Sequence, residues 1–146
     1  MTDTATVAPE GHVPYHLKPI DGPPPADVVA GADNSIMAGL VLQYRYSSGR
    51  EYRLTFTAEA VTFEMLDSPN YKPEYAIPVS LPYLARTIRD NQVMVHWMVP
   101  NRVGHVTLVV DFTSRQIFVS ALMPFKMEFF DSGTIHSAIR DGERVI

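Results

Sequence analysis

Short apolar–polar alternations, each ended by turn residues and none with a helical period, run from Ala38 almost to the end of this chain. That pattern leaves the chain few folds to choose from, because side chains two apart share one face of a strand and only strands use such a repeat. The runs are AGLVLQYRY, EYRLTFT and AVTFEML, then YLARTIRD, QVMVHWMV, VGHVTLVVDF, RQIFVSALM and KMEFFDSGTIHSAI. Ser47-Ser48-Gly49, Asp90-Asn91 and Thr113-Ser114 supply turn chemistry between them. Between Asp67 and Pro82 the pattern is broken by Pro69, Pro73, Pro78 and Pro82, which predicts a loop with one short edge strand at Tyr75 to Ile77. Seven or eight sequential strands on short turns predict an all-β, up-and-down antiparallel barrel of the calycin or lipocalin kind. Eight strands close with room for one small ligand. A β-sandwich is the rival, and the regular hairpin spacing favours the barrel.

Residues 1 to about 36 lack this alternation and concentrate proline, with Pro23-Pro24-Pro25 in sequence. They are expected to form an extended N-terminal arm, or a disordered tail, ahead of a single barrel domain over 37–146. Within the arm, GHVPYHLKPI carries Val13, Tyr15, Leu17 and Ile20, enough apolar surface to dock on the barrel or on a neighbouring subunit. No basic-then-apolar leader opens the chain, and no apolar run approaches the roughly 18 residues that span a bilayer. The expectation is a soluble, cytoplasmic protein with no membrane partner.

Composition removes several function classes. Net charge is −4 and the arginines are scattered, so no positive stripe is available for nucleic acid. With no cysteine there is no disulfide, thiolate metal site or thiol nucleophile. Of the histidines, His12 and His16 show paired spacing, but in the proline-rich arm, so no metal is expected. Phosphate loops, nucleophile elbows and dinucleotide fingerprints are missing too, and no cofactor is expected.

The segment LVLQYRYSSGREYRLTF places Tyr44 and Tyr46 on one strand face and Tyr52 just past the turn. Parity groups Leu40, Leu42, Tyr44 and Tyr46 against Gln43 and Arg45, and Tyr52, Leu54 and Phe56 against Glu51, Arg53 and Thr55. The aromatic sets are expected to face inward and line a cavity. The pattern Tyr44-x-Tyr46-x-x-Gly49-x-x-Tyr52 resembles the start of the phenolic acid decarboxylases and the related MoaF-like domains, which are small calycin-type barrels. VHWMVPNRVGHVTLVVDF, through Trp97, Pro100 and Phe112, and IFVSALMPFKM extend the likeness over about Leu40 to Met127.

The resemblance implies that Tyr44 and Tyr46 hold a substrate carboxylate. It also implies a general acid two residues after Trp97, where this chain has Val99, and an arginine in the region 67–78, where it has Lys72 and no arginine. Two catalytic positions depart from the family, which argues against a plain phenolic acid decarboxylase. The family register turns Thr62 and Glu64 inward, where desolvation would fit Glu64 to move protons near neutral pH. Hydrophobic alternation turns Val61, Phe63 and Met65 inward instead.

Two further residues have open orientations: His105 shares parity with Thr107 and Val109, and Arg86 lies between Leu84 and Ile88. Inside, His105 would be a second proton-transfer group and Arg86 an anion clamp.

The resulting expectation is a cofactor-independent lyase or isomerase acting on a small aromatic or unsaturated acid. Tyr44, Tyr46, Glu64 and His105 are its catalytic candidates, and Tyr52, Phe56, Arg86, Trp97 and Val99 its substrate contacts. A non-catalytic carrier and a cyclase of a reactive intermediate are the alternatives. Phe63, Met65, Phe129 and Phe130, if outward, imply a homodimer.

Overall fold

The computed structural model describes residues 30–99 and 104–146. Most of the expected arm, residues 1–29, lies outside them. Ten strands follow one another: β1 (Leu40–Tyr46), β2 (Glu51–Phe56), β3 (Ala60–Asp67), β4 (Val79–Pro82), β5 (Leu84–Arg89), β6 (Gln92–Met98), β7 (His105–Asp111), β8 (Gln116–Met123), β9 (Met127–Arg140) and β10 (Glu143–Arg144).

All ladders are antiparallel, and the hydrogen-bonded order is β4-β3-β2-β1-β9-β8-β7-β6-β5, with β10 paired to β9. Apart from β4 and β5, each strand thus lies beside its neighbour in sequence, and the long β9 returns to pair with β1. The two ends of this sheet, β4 and β5, are separated in the chain by Tyr83 alone. They behave as one bent strand whose first half pairs with β3 and whose second half pairs with β6. Counted this way, eight staves form an up-and-down sheet nearly closed into a calycin-like barrel, as the alternation predicts. The edge strand differs from expectation. Pro73–Ala76 forms a 3-10 turn, and the edge strand comes later, at Val79–Pro82.

Turn chemistry accounts for the corners. Asn91 and Arg115 take positive φ at the β5–β6 and β7–β8 turns, and Gly49 does so (96°) in the β1–β2 turn, where its missing Cβ makes that angle easy. Between β2 and β3 the Thr57 hydroxyl accepts from the backbone N–H groups of Glu59 and Ala60.

The gap between β4 and β5 is sewn by the segment before β1. Asp33 caps a 3-10 turn over Asn34–Ile36, and its N–H donates to the Ala85 carbonyl at 2.7 Å. The Asn34 amide donates to the carbonyls of Ala58 (3.1 Å) and Tyr83 (2.9 Å) and accepts from the Ala85 N–H (3.0 Å). Tyr83 in turn donates its hydroxyl to the Thr57 carbonyl at 2.7 Å. These bonds satisfy backbone groups that a sheet edge would leave unpaired.

The barrel interior is packed in one half. Met37, Leu40, Leu42, Phe56, Val61 and Val95 are buried there, with Phe56 edge-on to Tyr83 at 5.2 Å. Asn34→Ala removes three hydrogen bonds and leaves their backbone partners unmet. It is expected to lower unfolding stability by about 2 kcal/mol in urea titration; an unchanged midpoint would show that the gap closes without it.

Candidate functional site

The other half of the barrel is hollow. A cavity of about 260 Å³ opens beside the β1–β2 turn, and its walls come from Tyr44 and Tyr46 on β1, Tyr52 on β2, Phe63 on β3 and Trp97 on β6. Val106, Val119, Ala121 and Phe129 complete the lining, and Ser48, Arg50, Glu128 and Asp131 contribute the polar groups.

Register explains the cluster of phenols. Tyr44 is the direct cross-strand partner of Tyr52, and Tyr46 lies one inward step further along β1. Their rings form a compact triad: Tyr44 stacks on Tyr52 at 6.0 Å, and Tyr46 meets both edge-on, at 5.1 and 5.9 Å. On the facing side Phe63 stacks on Trp97 at 5.7 Å and 20°. The indole Nε1, buried, has no hydrogen-bond partner among the described residues.

Burial governs the electrostatics. Desolvation, reinforced by the adjacent phenol of Tyr46, raises the Tyr44 pKa well above its ordinary value. Desolvation also raises Tyr46, against the opposing effect of its hydrogen bond with Tyr44, and raises Tyr52, where the charge of Arg50 pulls the other way. All three are neutral hydrogen-bonding groups at ordinary pH. At the mouth, Asp131 is pushed up by burial, but the Ser47 and Ser48 hydroxyl bonds and backbone N–H donors outweigh that and hold its carboxyl below the usual value. The Arg50 guanidinium lies over the Phe129 ring at 4.9 Å.

The sequence-based candidates divide accordingly. Tyr44, Tyr46, Tyr52 and Trp97 come together on the cavity wall. Phe56 is inward but belongs to the packed half. Val99 follows the end of β6, with its N–H bonded to the Gly104 carbonyl, and is outside the lining.

Glu64 is a correction: it faces outward, opposite Arg53 on β2, and pairs with that guanidinium at 3.1 Å. Hydrophobic alternation, not the family register, describes β3. His105 is on the outer face of β7, where Val106, Leu108 and Val110 take the interior. Its ring is 6.3 Å from His96, whose pKa is lowered by burial and then by His105. Arg86 is exposed on the outside of β5, against Gly31. The residues offered for a dimer also separate. Phe63 and Phe129 line the cavity, whereas Phe130 is 86% exposed at its rim.

Phe129, Phe63 and Arg50, with the mouth carboxylates Glu128 and Asp131, are among the site residues the sequence reading missed. Alternation in AVTFEML already pointed Phe63 inward. Of the adjacent pair Phe129-Phe130, one ring had to enter the barrel, and the β8–β9 register, with Ala121 opposite Phe129, selects it. No cluster of three or more metal-ligating side chains occurs among the described residues, and no helix there is long and apolar enough to cross a membrane.

No protein-family model and no curated protein matches the chain. Among solved structures it is similar to a Burkholderia vietnamiensis protein described in its crystal structure as "a putative beta-lactamase", with TM-score 0.60 and 13% identity over 68% of this chain and 93% of that one. Likeness at that identity speaks for the fold and leaves the chemistry to the residues of the site.

Two predictions follow from this geometry. The buried phenols have folded pKa values above the unfolded value of about 10, so their contribution to stability is complete below that pH and is lost as pH rises through the folded values. Alkaline titration is expected to show part of the tyrosine absorbance changing only together with unfolding. Titration of every phenol near pH 10 in a still-folded protein would contradict the burial. Glu64→Gln, on the outer wall, is expected to change stability by less than about 1 kcal/mol in thermal or urea melts.

Proposed function

We propose that the barrel binds one small molecule of about single-ring size, best matched by an aromatic or unsaturated acid, and that holding this molecule is its main task. The observation that carries the reading is the division of polar groups. The neutral, desolvated phenols of Tyr44 and Tyr46 line the cavity, while Glu64, His105 and Arg86 are on the outside. A site lined by phenols and rings can orient an acceptor oxygen without offering a base of matched pKa beside it.

Size supports a small guest, because about 260 Å³ falls below the roughly 300–1,000 Å³ of pockets that take drug-sized molecules. An acid oxygen at the Tyr44–Tyr46 pair would meet hydrogen bonds strengthened by the low-dielectric surroundings. Arg50 at the mouth supplies a positive charge on the way in. The likeness to phenolic acid decarboxylases and MoaF-like domains enters at this level: the tyrosine pair fits it, and the acid and arginine positions do not.

A lyase or isomerase is the second reading. Its support is the same phenol pair, since neutral donors in a dry site stabilise negative charge that develops on a bound oxygen. It would have to take its proton-transfer group from the mouth, where Glu128 and Asp131 are the carboxylates.

Calorimetric titration with single-ring unsaturated acids, against their amides and alcohols, tests the proposal. Acids are expected to bind, and Tyr44→Phe and Tyr46→Phe each to weaken binding about tenfold, the equivalent of about 1.4 kcal/mol. Thermal midpoints should move little. Equal loss of affinity and stability would make the tyrosines structural, and consumption of the acid on prolonged incubation would favour the lyase reading.

A further inference from the structure

The outer wall of β6 to β9 is unusually apolar for a surface in contact with water. Cross-strand partners place Met94, Val109 and Phe118 in one row, His96, Thr107, Ser120 and Phe130 in the next, and His105 and Leu122 in a third. Met94, Phe118, Leu122 and Phe130 are exposed, at 37%, 41%, 40% and 86%. Charge enters these rows at their ends, as Arg86 on β5 and Glu128 on β9. Four exposed large apolar side chains on one wall, separated only by neutral polar ones, mark a surface that ordinarily has an occupant.

Where the described chain begins says which occupant. Ala30 and Ala32 lie with Leu84, Arg86, Met94 and His96 around one shallow groove, at the β5–β6 end of these rows. Asp33 is fixed there by its backbone bond to Ala85, and Gly31 lies against the Arg86 guanidinium. Ala30, where the described chain begins, thus sits at the edge of the apolar wall. From β6 to β9 the wall is three strand spacings wide, about 14 Å. The ten residue steps from Ile20 to Ala30 can span up to about 33 Å when extended, enough for the apolar stretch beyond them to reach every row.

That stretch is the one the arm's composition singles out. Val13, Tyr15 and Leu17 fall at every second position, separated by Pro14 and His16, Ile20 follows, and Lys18 brings one positive charge to a wall whose far end carries Glu128. We infer that residues 12–20 of the same chain dock across the outer face of β6–β9, covering Met94, Phe118, Leu122 and Phe130. Burial of the Tyr15 and Leu17 side chains contributes most of the attraction. The inference does not rest on the ligand reading: Met94, Phe118 and Leu122 lie outside the cavity lining, and only Phe130 and Glu128 belong to both faces.

The absence of cysteine makes a clean test possible in the full chain. Ser120→Cys places a single thiol at the centre of the wall, and its rate of reaction with a soluble maleimide reports cover. Docking predicts that the thiol reacts on the order of tenfold faster when Tyr15→Ser and Leu17→Ser are added. It also predicts the same ratio at every protein concentration, with unchanged thermal unfolding. Equal rates in the two backgrounds would overturn the inference. Protection that grows with concentration and survives the arm substitutions would overturn it in favour of a second copy on this face.

Discussion

The ladder between the first strand and the last long one holds the phenol-lined cavity in place. Leu40 to Tyr46 pair with Arg140 to Gly133, and without those bonds β1 would be the edge of an open sheet, with its tyrosines facing water. Two local features let the ladder form. A bulge between Gln43 and Tyr44 rephases β9 so that Ile135 and Ala138 both turn inward. Gly133, opposite Tyr46, lets the backbones approach so closely that a Cβ there would lie 2.4 Å from the Arg45 carbonyl oxygen. Closure, and with it an interior for the phenols, therefore rests on one missing side chain and one extra residue.

The division of the interior into a packed half and a hollow half follows from which side chains each strand sends in. In the packed half Leu, Phe and Met fill the space between staves, as small barrels require. Toward the mouth the facing walls alternate flat rings with small groups such as Ala121 and Val119, and rings held edge-on or stacked against one another leave space between them. The same arrangement removes water from the Tyr44 and Tyr46 hydroxyls, so geometry and electrostatics have a common cause.

Strand positions and the facing of β1 and β2 were legible in the sequence because the register shifts beside them put their extra residues on β9 and β3, leaving period-two alternation intact on β1 and β2. The phenol triad followed from that parity alone. On β3 two guides disagreed, and burial of Val61 and Phe63 outweighed the family register that would have buried Glu64. The physical reason is plain: an inward Glu64 would lose both water and Arg53, whereas outward it keeps a partner 3.1 Å away. The displaced edge strand at Val79–Pro82 was hidden because prolines at 78 and 82 mask a strand whose free side needs no donors. The stitching by Asn34 could not be read from a local pattern, since it joins residues about fifty positions apart.

Because one end of the barrel is filled by Phe56, Met37 and their neighbours, the hollow opens, among the described residues, at the rim of Arg50, Phe129 and Phe130. A guest of the kind proposed would enter by that rim and withdraw in reverse, so the end that meets the tyrosines would arrive first and depart last. Its orientation would then be decided at the threshold, before any contact with the deep phenols. A molecule with two similar ends would have no means of turning round once inside.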